Sequence, residues 1–249
     1  MADEYELDGR RVVKAKIARW QIREGERALF ESAEQVPNWR LADKSRRLLA
    51  DFCHHLSGKL PSIVGSPLKD VDRDVLKREA LISAASIIVR AAGSGMANIA
   101  CGYQPESAGP ARRAFEAKLN ARAVVDDPSG EYALRYLQGR SRGLQKLADR
   151  YGGGDDLPLL SQLSHADVRG LSRLYVKPPR ISDQVTEGEI NLMPSREDQS
   201  AGLVAYLLAY EAVEMCSILA EEFGIGFEVP PWVSGELHRQ GEAVRAAAP

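Results

Sequence analysis

Arg90 is the residue of this sequence whose setting most demands a chemical explanation. It stands in the middle of Glu79–Cys101, EALISAASIIVRAAGSGMANIAC, a stretch that is apolar around most of a helical circumference. Its polar residues, Glu79, Ser83, Ser86, Arg90, Ser94 and Asn98, recur at gaps of four, three, four, four and four, which is one side of a helix. A guanidinium keeps its charge at any ordinary pH, and burying it is costly unless it is paired. Carboxylates able to serve stand at Glu116, Glu211 and Glu214, each in an otherwise apolar helical segment. Two outcomes are open. Arg90 forms a buried ion pair that sets the register of a helical bundle, or Arg90, Ser94 and Asn98, with Glu116 and Glu214, line a groove for an anion or a small polar ligand. A second polar line, Tyr206, Tyr210, Glu214, Ser217 and Glu221, runs along the last long helical segment. If the two helices face each other, Arg90 meets Glu214.

The other chemistry-bearing residues are less organised. Arg112 and Arg113 lie four and three residues before Glu116, the spacing of an intrahelical pair. Ser161, Ser164, His165 and Asp167 do not make a nucleophilic triad: adjacent side chains on a helix diverge by about 100°, and no G-x-S-x-G elbow is present. His165 remains a candidate for catalysis or ligand contact. Cys53-His54-His55 lacks a second ligand pair, and the Glu-x-x-His motifs of di-metal bundles are missing, so no metal or other cofactor is expected. Gly152-Gly153-Gly154 lacks the Lys-Ser/Thr of a phosphate loop. Arg135, Arg142, Lys146 and Arg150 form a basic row with the spacing of one helix face and are the candidate nucleic-acid contacts.

Composition restrains these readings. The chain has 249 residues, 44% apolar and 27% charged, and a net charge of −2, so no overall charge drives it to nucleic acid or an anionic membrane. Charge is unevenly placed. Residues 107–151 carry nine basic against five acidic side chains, and residues 183–228 carry ten acidic against Arg196 alone. Cys53, Cys101 and Cys216 are odd in number and far apart, as expected of unpaired thiols in a reducing cytoplasm. The opening MADEYELDGR, acidic and polar, is not expected to act as a signal peptide, and Arg90, Ser94 and Asn98 interrupt the longest apolar run, which therefore reads as a core helix rather than a membrane span.

Hydrophobic periodicity predicts an all-α fold, a bundle of about seven helices with one small β-hairpin between the last two. Residues 1–8 are expected to fray. Helices are expected over 9–35, 41–60, 68–102, 110–125, 131–151, 157–175 and 195–223. Gly93-Ser94-Gly95 is the expected kink of the third, and Pro110 the expected first turn of the fourth. The hairpin is expected from ISDQVT and EINLM around Glu187-Gly188. Three units follow: an N-terminal helical pair over 1–60, separate or part of the main bundle; a main bundle over 67–224; and a tail over 225–249.

From about Ala80 to Gly224 the order of features is similar to a group of uncharacterised bacterial all-helical proteins, a domain of unknown function. The shared features are a small-residue helix, ARRAFEAKLNARAVVDDP, a Leu-rich helix with LSQLSHAD, a weak hairpin and a long last helix ending in Phe-Gly. The positions marked in that group correspond to Arg113, Glu116, Ser161, Ser164 and His165. The resemblance implies an all-α, HEPN-like fold and no particular activity. The HEPN superfamily of RNA-cleaving helical proteins is marked by Arg, four to six residues, then His. Arg47 and His54 have six between them, but Leu48 stands where that superfamily usually has a polar residue. The chain is therefore expected to be a cytoplasmic interaction or regulatory protein, homo-oligomeric or bound to a protein partner. An RNA-directed protein of HEPN type, using the basic row with His165 or His54, and a small-ligand binder at Arg90 are the alternatives.

Overall fold

The structure is a computed structural model that describes residues 3–7, 10–14, 19–140, 143–152, 175–177, 189–190, 198–231 and 235. It is mostly helical. Among the described residues seven α-helices are present: α1 Arg19–Glu31, α2 Trp39–Ser57, α3 Arg73–Ala100, α4 Gln104–Val125, α5 Glu131–Leu137, α6 Leu144–Tyr151 and α7 Asp198–Glu222.

Four of them make the core. Around the bundle α2 neighbours α3, α3 neighbours α4, α4 neighbours α7 and α7 neighbours α2, while α3 also touches α7 across the middle. The three-residue link Cys101–Tyr103 forces α3 and α4 to run antiparallel. Lys77 pairs with Glu222 at 3.5 Å, and Gly95 lies against Leu208, so α7 is antiparallel to α3. Asn38 donates to the Gly202 carbonyl at 3.0 Å, and Phe52 packs edge-on to Phe227 at 5.2 Å, so α7 is parallel to α2.

Small residues set the spacing of these helices. Ala80, Ala84, Ala85, Ala92, Ala114, Ala121, Ala205, Ala209 and Ala212 are all buried. A Cβ on Gly95 would fall 2.7 Å from Leu208 Cδ1, and one on Gly202 2.8 Å from Pro37 Cβ. At these two positions the space beside α7 leaves no room for a side chain. Leu49, Leu81, Ile88, Phe115, Leu119, Met215 and Leu219 fill the remaining interior, each contributing about 1.5–3 kcal/mol by leaving water. Leu41, Leu49, Cys53 and Leu56 of α2 belong to the same core cluster as α3, α4 and α7. α3 is capped by Asp72, whose carboxylate accepts from the Asp74 and Val75 N–H groups. It runs as one continuous helix through Gly93-Ser94-Gly95.

Several boundaries differ from expectation. Asp3–Leu7, expected to fray, forms a strand (β1) that pairs antiparallel with Arg10–Lys14 (β2), so the start of the helix predicted over 9–35 is strand and Arg19–Glu31 is helical. The register sets Asp3 opposite Lys14 and Glu6 opposite Arg11, and the sequence between the strands is Asp8-Gly9, a hairpin-favouring pair. α4 starts six residues early, at Gln104, so Pro110 lies inside the helix rather than at its first turn. The predicted helix over 131–151 is two helices, because Gly139 adopts φ 72° and stops α5. Tyr175–Lys177 (β3) pairs antiparallel with Glu189–Ile190 (β4). The expected helix over 157–175 lies almost wholly outside the described residues, as does the expected strand ISDQVT. By length and composition alone α3 and α7 are long and apolar enough to cross a membrane, and 50% and 67% of their apolar windows are buried inside the bundle.

Candidate functional site

Polar and charged groups gather at three places. The first is a seam between α4 and α7. Lys118 and Arg122 are one turn apart on α4, and Glu211 and Glu214 one turn apart on α7. Because these helices lie side by side, the two sets meet. Lys118 Nζ sits 2.9 and 3.0 Å from the two Glu211 carboxylate oxygens, and Arg122 lies 3.1 Å from Glu214. Lys118 and Glu211 are only 8% and 4% exposed. The ammonium is also sandwiched 5.1 Å from the Phe115 and the Tyr210 ring centroids. Tyr210 stacks on Tyr206 at 6.4 Å. Burial, then the Glu214 and Glu211 charges, push its phenol up to about 12.

The second place is a cleft of about 170 Å³ where α5 and α6 meet the end of α4, lined among others by Asp126, Asp127, Tyr132, Arg135, Arg150 and Tyr151. Arg135 lies over the Tyr132 ring at 5.8 Å, and Arg150 over Tyr151 at 5.2 Å. Arg150 also pairs with Asp126 at 3.2 Å. Gly130 stands at the N-cap of α5, and Asp127 reaches its first turn from outside: the carboxylate accepts from the Tyr132 N–H at 2.6 Å and from Ser129. Burial alone would raise that carboxyl. The hydrogen bonds from Ser129 and Tyr132 and the Arg135 charge outweigh it and hold it below the usual carboxylate range. Tyr132 in turn donates its phenol to Asn120 Oδ1 at 2.7 Å. A neighbouring cleft of about 380 Å³ is lined by Gly143, Lys146, Leu147 and Arg150.

The third place is the outer face of α3. Arg90 and Ser94 are exposed, and Glu79, Ser83, Ser86 and Asn98 are half-buried. Ile87, among them, is 39% exposed. Among the described residues neither Glu79 nor Arg90 forms a hydrogen bond or an ion pair. Burial raises the Glu79 carboxyl.

The expected site residues are thus dispersed. The Arg90–Glu214 contact is not made: Glu214 belongs to Arg122, because α7 turns that side to α4, while the polar line of α3 faces outward. Arg90, Ser94 and Asn98 stay together on α3, away from Glu116, which pairs with Arg112 at 2.9 Å. Arg113 is exposed. Arg135, Lys146 and Arg150 are brought together from two helices rather than one, and Arg142 lies outside the described residues. Arg47 is exposed and held by Asp43 at 2.7 Å, and His54 is exposed on the same side of α2. Ser161, Ser164 and His165 lie outside the described residues. Among those described, no group of three or more His, Cys, Asp and Glu side chains could hold a metal. Cys53 and Cys216 are buried, and burial pushes their thiols up to about 11 and about 12. The seam residues Lys118 and Arg122 were not anticipated. The signal for them was a pair of cations four apart in an alanine-rich helix, matched by two acids three apart on α7.

No family model, curated protein or solved structure matches this chain.

Proposed function

We propose that this chain is a cytoplasmic helical interaction or regulatory protein that associates with itself through its helical surface. One observation carries this: α3, which with α7 touches all the other core helices, leaves one face on the surface. That face holds Ile87, Ser83, Ser94 and Ala97 around the single cation Arg90. A helix face of small and apolar residues allows another helix axis to come close, and its only charges have no partner among the described residues. The interior charges are already matched along the seam, so they stabilise the bundle rather than recruit a partner. The same proposal keeps a small β-hairpin ahead of α7, built on the ladder of β3 and β4. Light scattering over a concentration series tests it. A mass that rises to a multiple of 27.3 kDa is expected; a single-chain mass throughout would overturn it.

A second function, RNA binding by a HEPN-like bundle, is favoured by one observation: Arg135 and Arg150 line a common cleft and Lys146 adjoins it. Binding through these side chains would weaken steeply with salt. Affinity for single-stranded RNA that is unchanged in Arg135→Ala and Lys146→Ala proteins would remove it.

A further inference from the structure

The outer face of α3 has an internal symmetry. Residues 79–90 read EALISAASIIVR. About the Ala84–Ala85 peptide, Ser83 mirrors Ser86, Ile82 mirrors Ile87, and Glu79 mirrors Arg90 with the opposite charge. Glu79 and Arg90 are separated by about three helical turns, roughly 16 Å, and lie within about 20° of the same side of the helix. Ser83 and Ser86 lie between them on that side, and Ile82 and Ile87 flank the row. Neither end of the row has an ion-pair partner among the described residues. Ser86 donates its hydroxyl to the Ile82 carbonyl at 2.8 Å, so its donor is already satisfied within the helix.

A two-fold interface uses one patch twice, so each position must complement its mirror position. The α3 face does so in charge, in size and in polarity. We propose that a second copy of this chain docks on it, with the two α3 helices antiparallel and the two-fold axis at Ala84–Ala85. This rests on the proposal that the chain self-associates, and it names the surface and the symmetry. Glu79 of one protomer then pairs with the partner's Arg90, and the reverse pair forms at the other end. Ser83 lies at the level of the partner's Ser86, where side chains of this size let the helix axes approach closely. Ile82 and Ile87 of both copies flank the serines and lose their exposure to water. A partner of another sequence would need one acid and one base spaced three turns apart in the opposite order; a second copy supplies them by symmetry.

Charge reversal tests both the surface and the register. Glu79→Arg and Arg90→Glu each place two like-charged pairs across the axis and should raise the dimer Kd about 100-fold or more. The double variant E79R/R90E should recover the dimer. An equimolar mixture of the two single variants should form a heterodimer, since the two reversed charges meet as an opposite pair at one contact and the two retained charges meet as an opposite pair at the other. Sedimentation velocity reads all four states, and circular dichroism melts check that each variant is folded. The neutral pair Glu79→Gln and Arg90→Gln should weaken the dimer less than either reversal, and stands in if a reversed variant fails to fold. Dimers that persist in both single variants would overturn the register and leave self-association standing. A wild-type chain that stays monomeric would overturn both. Single variants that remain monomeric when mixed would overturn the antiparallel pairing.

Discussion

The seam between α4 and α7 and the outer line of α3 both place charged side chains on helices that bury an apolar face, and their charges meet different ends. In the seam, Lys118 finds Glu211 and Arg122 finds Glu214 across a helix pair that runs parallel, so the cations of one helix face the acids of the other in register. On α3, Glu79 and Arg90 share one helix three turns apart and cannot reach each other. The contrast teaches how to interpret a charge on an apolar helix. Matched within the chain, it belongs to the architecture; unmatched, it marks where the surface expects something else.

Removing a cation from each region should separate them by several kcal/mol. Lys118→Ala leaves the Glu211 carboxylate buried without its counter-charge and should cost about 3–5 kcal/mol in denaturant unfolding. Replacing both partners by apolar residues of similar volume, Lys118→Met with Glu211→Leu, should return most of it. The next effect comes from the inner side of α3. Gly95→Val drives a branched side chain into Leu208 and should cost about 1–3 kcal/mol, seen as a lowered Tm. Third, Asp127→Ala removes the carboxylate that accepts from the first turn of α5 and should cost about 1 kcal/mol at pH 7. Because the Asp127 carboxyl is held below its ordinary 3.8 in the fold, this contribution is present above that value and is lost as pH falls through the folded value. Wild type and variant should therefore converge in stability in strong acid. The smallest effect is expected from Arg90→Ala, which at concentrations where the protein is monomeric should change unfolding by no more than about 0.5 kcal/mol. A loss of several kcal/mol there would mean that Arg90 has a partner inside the chain and would erase the contrast.

How far the sequence could be followed depends on what each feature rests on. The long helices α2, α3 and α7 were legible because apolar periodicity over many turns leaves few alternatives. The core chemistry was legible too: Glu211 and Glu214 stood out as acids on an apolar helix. Their partners did not, since the choice between Arg90 and Arg122 is settled by which helices are neighbours, a tertiary fact. The same limit hid the direction of the α3 polar line. A row of Ser, Arg and Asn at helical spacing shows that these residues share a side, but whether that side faces core or water depends on packing. Local signals were also passed over. Asp8-Gly9 between two short segments speaks for a hairpin, and Gly139 was overridden by the amphipathic pattern that continues across it. Pro110 was given its commonest helical position, while the chain had already begun α4 at Gln104.

The assembly of α3 can be measured as a distance. A nitroxide on Ser94→Cys, with half-buried Cys101 replaced by serine and Cys53 and Cys216 left as buried, largely protonated thiols, reports the separation between copies by pulsed dipolar EPR. Antiparallel α3 helices crossing at Ala84–Ala85 place the two labelled positions about 30 Å apart, from ~1.5 Å of rise per residue and an 8–10 Å interaxial gap. That distance should shrink as the label is moved toward Ile87. A distance near 10 Å at position 94, as parallel helices would give, or no coupling between chains, would contradict the account.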